Sequence, residues 1–153
     1  TQMLFDTVLR SDFLYWAATQ LARRALIRGL LATPPELLDS IGPDEQARVD
    51  RMLRNILPVS ARRLGLLNDA KVCSSLTRYA LEAIACPTLA SSVADDLFGT
   101  YDAARYTAQH IRGARFLGFR TGGHVWLGHH RRHLAEITAF LRSAAASARP
   151  AQA

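Results

Sequence analysis

Residues 84–96 read Ile-Ala-Cys-Pro-Thr-Leu-Ala-Ser-Ser-Val-Ala-Asp-Asp, and the reading of the fold turns on them. Ile84 to Ser92 is a short apolar run with Pro87 near its start. That fits a buried strand entered through a residue unable to donate to a ladder. The acidic pair Asp95-Asp96 follows it. Tyr101 to Ile111 then has helical spacing through Ala104, Tyr106, Ala108 and Ile111, closed by Gly113. Ala114 to Phe119 is a second strand of apolar and aromatic character, and Gly122-Gly123-His124 is a turn. Arg132 to Leu141 forms a final helix through Leu134, Ile137, Phe140 and Leu141, and the Ala/Ser/Pro-rich stretch from Ser143 to Ala153 reads as a frayed tail.

A strand–helix–strand unit of this length predicts a crossover between two parallel strands. Ligand chemistry in such sheets collects beyond the carboxyl ends of the strands. Asp95-Asp96 lies there after the first strand and His124 after the second, so parallel strands make spatial neighbours of groups distant in sequence. An Asp that accepts from His Nδ1–H fixes the imidazole tautomer and stabilises the imidazolium formed during proton transfer. Gly122 and Gly123 allow a sharp turn that brings the ring to the surface. The same residues are equally compatible with an Asp capping a helix and a His sealing a turn.

Upstream, residues 1 to about 80 carry helical periodicity. Ser11-Asp12 caps a helix with Phe13, Trp16, Ala17, Leu21 and Ala25 on one stripe, ending near Gly29 to Leu31. Thr33-Pro34-Pro35-Glu36 is a start signal with a hydroxyl at the cap. Gly42-Pro43 breaks the chain. Asp44-Glu45 opens a helix that buries Val49, Met52, Leu53, Ile56 and Leu57 and stops at Pro58. A shorter helix is predicted over Ser60 to Leu67, and Asn68-Asp69 caps another through Thr77.

Composition narrows the class. The 153 residues carry 49% hydrophobic side chains, which excludes intrinsic disorder and collagen-like fibres. Lys and Arg number 19 against 13 Asp and Glu, giving +6. All but Lys71 of the basic residues are Arg, spread singly or in pairs, so no basic run marks a nucleic-acid tail. No apolar run reaches the roughly 20 residues that cross a bilayer. Cys73 and Cys86 are expected as buried free thiols in a reducing compartment. His129, His130 and His133 invite a metal reading, but Arg131-Arg132 between them would repel a cation. No metal site and no cofactor is predicted, and no phosphate loop is present.

Pro87-Thr88-Leu89, Ala90 to Asp96, Gly113-Ala114-Arg115 and Gly122-Gly123-His124 together resemble the C-terminal third of an α/β-hydrolase, over about residues 81 to 142. In that family a strand beginning Pro-Thr-Leu leads to the acid of a catalytic triad. A helix and a short turn precede the next strand, and the histidine comes in a Gly-His step. The acid lies nine residues after the proline, which lands on Asp96, with Asp95 the second choice. Ser92-Val93 stand where the family often has His-Gly, and Arg112 where Pro is common.

The resemblance implies an α/β fold, mostly helical in this chain. A helical lid over 1–80 would be followed by the C-terminal strand–helix–strand–helix of the sheet over 81–142 and the tail 143–153. It implies catalytic Asp96 and His124, with Phe13, Tyr15 and Trp16 lining an apolar substrate pocket. The family's nucleophile stands on a G-x-S-x-G-type elbow upstream of the lid, and no serine here stands between glycines at that spacing. The expected function is therefore the acid–histidine part of a serine-type hydrolase. It would cleave an ester, amide or related acyl substrate and be completed by an N-terminal half or a homo-oligomer partner, in the cytoplasm. A non-catalytic hydrolase-like interaction module and a small basic binding protein stand as alternatives.

Overall fold

The computed structural model describes residues 7–148. Among the described residues, helices and a 3-10 turn make up the upstream half, a further helix packs on a small two-stranded sheet, and a last helix closes the chain. Helix α1 spans Asp12–Leu21, and Ser11 Oγ accepts from Leu14 N as its cap. It does not run on to Gly29. Ala22 adopts φ −133° and ψ 33°, and a separate helix α2 covers Arg23–Gly29. No Gly or Pro announces that break.

Thr33 does not cap a helix. Pro35–Ser40 form a 3-10 turn preceded by Pro34, and the Thr33 hydroxyl is used elsewhere, as described below. Helix α3 spans Pro43–Asn55 with proline in its first turn. Helix α4 is one continuous element, Val59–Ser74, where two were expected. Its start is fixed from outside: both carboxylate oxygens of Asp12 accept from Ser60, one from the backbone and one from the hydroxyl, each at 2.9 Å. Asn68 and Asp69 are exposed in its interior.

Strand β1 is Leu89–Val93, shorter than the apolar run because Pro87 and a 3-10 turn at Leu81–Ala83 keep the approach irregular. Helix α5 is Thr100–His110, strand β2 Arg115–Phe119 and helix α6 His130–Ala148. The two strands pair in parallel, Leu89 opposite Arg115 through Val93 opposite Phe119, as the crossover reading requires. Helix α5 packs across both strands. Tyr101 lies edge-on to Phe116 and its ring covers Gly118, where any side chain would collide. The expected frayed tail is helical as far as Ala148, and residues 149–153 lie outside the described region. Both cysteines are free and exposed rather than buried, since Cys73 lies in the last turn of α4 and Cys86 in the approach to β1.

The chain is thus mostly helical with a small two-stranded parallel sheet. Its main apolar core lies among the upstream helices, around Tyr15, Ile27, Val49, Leu53 and Val59. Val125 and Leu127, from the loop after β2, are buried in that same core. The loop carrying His124 therefore belongs energetically to the helical half. Among the described residues no helix is long and apolar enough to cross a membrane.

Candidate active site

Asp96 follows β1 and His124 follows β2, and the parallel pairing brings their loops together. His124 Nδ1 lies 3.0 Å from Asp96 Oδ2. The carboxylate has two further donors: Phe98 N, at 2.9 Å from Oδ1, and the Thr100 hydroxyl on Oδ2. Burial pushes the Asp96 carboxyl up. The hydrogen bonds from Thr100, His124 and Phe98 N together outweigh that, holding it below the usual carboxylate range. With an ionised acceptor this Nδ1 carries a proton, and in the neutral ring Nε2 then presents a lone pair. Among the described residues nothing hydrogen-bonds Nε2. The side chain of Asp96 is 3% exposed and that of His124 46%; the acid is sheltered and the base open. Phe98 sits edge-on to the imidazole at 4.8 Å.

Asp95 is not the partner of the imidazole. Its carboxylate accepts from Gly123 N at 2.7 Å and Gly122 N at 3.2 Å. It ties the acid loop to the backbone of the histidine loop, so adjacent carboxylates do different jobs. Both glycines have positive φ, 133° and 60°, as the turn reading required. Trp126 also sits at φ 60°, a conformation costly for a side chain of that size.

The segment Ala32-Thr33 holds the two loops from the other side. The Ala32 carbonyl accepts from Leu97 N at 3.0 Å and from His124 N at 3.4 Å. Thr33, fully buried, donates from Oγ1 to Leu31 O and accepts from Val125 N at 3.3 Å. Arg48 on α3 donates to Val125 O and to Glu45, both at 2.8 Å. Sequence reasoning missed all three anchors. Thr33 resembled a helix cap, and nothing in the local pattern relates Ala32 or Arg48 to a loop so far along the chain.

A cavity of about 110 Å³ opens beside the pair, lined by Ser91, Ser92, Val93, Asp96, Thr100, His124 and Trp126. Ser91 and Ser92 are the serines on its wall, and both hydroxyls are engaged. Thr100 spends its single proton on Asp96, so its oxygen can only accept, and Ser92 Oγ donates to it at 2.8 Å. Ser91 Oγ pairs with His133 Nε2. A larger open depression of about 260 Å³ lies between the start of α3 and the start of α6, around Glu45, Gly128 and His130. It contains no nucleophile beside a base.

Phe13, Tyr15 and Trp16 do not reach the cavity wall. Tyr15 is fully buried in the helical core and donates its hydroxyl to Leu53 O at 2.9 Å. Burial there pushes its pKa up to about 12. Phe13 and Trp16 are exposed on the opposite side of α1, tilted against one another at 5.9 Å. His129 and His133 flank the Phe119 ring, and among the described residues no group of three or more His, Cys, Asp or Glu is placed to hold a metal ion.

No protein-family model, no curated protein and no solved structure matches this chain.

Proposed function

We propose that Asp96 and His124 are the acid and base of an acyl-transfer site of the α/β-hydrolase type. The carrying observation is the buried, triply hydrogen-bonded Asp96 carboxylate on Nδ1 of a half-exposed imidazole whose Nε2 is uncommitted. In such a site the carboxylate orients the ring and stabilises the imidazolium, while Nε2 takes the proton of the attacking hydroxyl and returns it to the leaving group. The chain supplies this pair, and the hydroxyl of the family's elbow comes from another segment or chain. The substrate class is an ester, amide or related acyl compound. On this reading the upstream helices act as a fixed cover rather than a swinging lid, because Ala32, Thr33 and Arg48 hold the histidine loop.

The test is turnover of a short-chain ester by the protein isolated through a C-terminal tag, with whatever polypeptide accompanies it resolved by gel and intact mass. Asp96→Asn should lower kcat by on the order of 10⁴-fold through loss of tautomer control. Asp95→Asn should cost less, since an amide oxygen can still accept from Gly123 N. The reverse order would move the acid by one position. Absence of turnover with the wild-type chain and its accompanying polypeptide would favour a non-catalytic interaction module, for which the exposed Phe13 and Trp16 are the ready contact surface.

A further inference from the structure

Alternation along β1 sends Ser92 toward α5 and Ser91 to the opposite face, toward α6. There Ser91 Oγ lies 3.0 Å from His133 Nε2. The His133 ring is stacked on the Trp126 indole, with centroids 3.6 Å apart and planes 10° from parallel. The edge of Phe119 stands against it at 6.3 Å. Two aromatic side chains thus fix the imidazole plane, the orienting job that a carboxylate does for His124. Burial, reinforced by the neighbouring His130, holds the His133 pKa below its ordinary value. The ring is therefore neutral at neutral pH, and in the tautomer with its proton on Nδ1 the Nε2 accepts the hydroxyl proton of Ser91. Ser91 is also on the wall of the 110 Å³ cavity, which has room for a short acyl group. Trp126, whose backbone is held at φ 60°, lines the same cavity while its indole stacks on His133.

We infer that Ser91 and His133 form a second nucleophile–base pair, distinct from Asp96–His124 and not dependent on it, which accepts a short acyl group from an activated ester. In the step, Ser91 Oγ attacks the carbonyl carbon and its proton passes to His133 Nε2. The new Oγ–C bond forms, the bond to the leaving alkoxide or phenoxide breaks, and the imidazolium then loses its proton to solvent. The product is an O-acyl serine at position 91.

The experiment is mixing the chain with p-nitrophenyl acetate. The expected result is a burst of one equivalent of p-nitrophenolate, a mass gain of one acetyl group, and that group on Ser91 by peptide mapping. Ser91→Ala abolishes the burst. His133→Gln, which retains a hydrogen-bonding partner for the hydroxyl but no base, slows it by on the order of 10²–10⁴-fold, with an unchanged circular dichroism spectrum. In the wild type the burst rate rises with pH through a single ionisation below the ordinary histidine value, and a purely packing role for His133 would not produce that dependence. Acetyl found on Lys71, on a histidine or on another serine overturns the inference, as does no burst or a full-rate burst in His133→Gln. Labelling lost in His124→Ala but retained in His133→Gln would assign Ser91 to the other imidazole and overturns the pairing too. Because Ser91→Ala removes the burst, the steady-state turnover of that variant together with its accompanying polypeptide reads the Asp96–His124 site separately.

Discussion

Thr33 and Val125, 92 residues apart, share a hydrogen bond in which the Val125 N–H donates to Thr33 Oγ1 at 3.3 Å. Both are buried, and the bond fixes the residue next to His124 against the helical half. The neighbouring Ala32 carbonyl reaches the acid loop at Leu97 as well as His124 itself. The geometry of the candidate site is thus set by a turn that belongs to neither strand.

Thr33→Val keeps the shape and removes the hydroxyl. Val125 N is then buried without an acceptor, at a cost of about 1–3 kcal/mol. Chemical denaturation should show the midpoint falling with the slope unchanged. A loss within error of zero would mean that the Thr33 hydroxyl is not an anchor of the histidine loop.

Gly123→Ala should be costlier than Gly113→Ala. Both glycines have positive φ, 60° and 77°, so each substitution carries the left-handed penalty of roughly 1–2 kcal/mol. A Cβ at 113 meets open space, whereas one at 123 runs into the Thr33 methyl and hydroxyl. Equal losses in the two variants would contradict the close packing of the histidine loop on Thr33.

Acid should weaken the fold through two groups with the same sign. The Asp96 carboxyl titrates below its ordinary range in the folded chain. Between that value and the ordinary one the unfolded chain binds the extra proton, so this contribution is complete above the ordinary range and lost as pH falls through the folded value. His133 is likewise depressed, by burial and by His130; its contribution is complete above 6.5 and declines as pH falls below it. Denaturation midpoints across a pH series should show both slopes. Asp96→Asn should flatten the lower one and His133→Gln the upper; unaltered slopes in the variants would refute the assignment.

How much of this was legible beforehand depended on the range of the interactions. The period change at Ile84, the crossover and the convergence of Asp96 with His124 follow from local pattern plus the geometry of parallel strands. The choice between Asp95 and Asp96 followed only from family spacing, because adjacent carboxylates on one loop differ in direction rather than in pattern. The roles of Thr33 and Arg48 were hidden: a Thr before two prolines reads as a cap, and an Arg three residues after a Glu on one helix reads as its i,i+3 partner. Thr33 meets Val125 instead, and Arg48 meets it in addition to Glu45, through tertiary packing that leaves no local trace. Tyr15 stands off the stripe that Phe13 and Trp16 share, and only the packing of α1 on α3 shows that its ring points inward while Phe13 and Trp16 point out.

On the proposed function the imidazole of His124 is the general base of an acyl-transfer site. The most direct measurement is steady-state hydrolysis of a short-chain ester by the tagged protein and its accompanying polypeptide, compared with His124→Ala prepared in the same way. His124→Ala is expected to abolish turnover while the denaturation midpoint stays near that of the wild type, since the ring is half exposed and Val125 and Leu127 hold the loop. Steady-state turnover in His124→Ala equal to that of the wild type would contradict it.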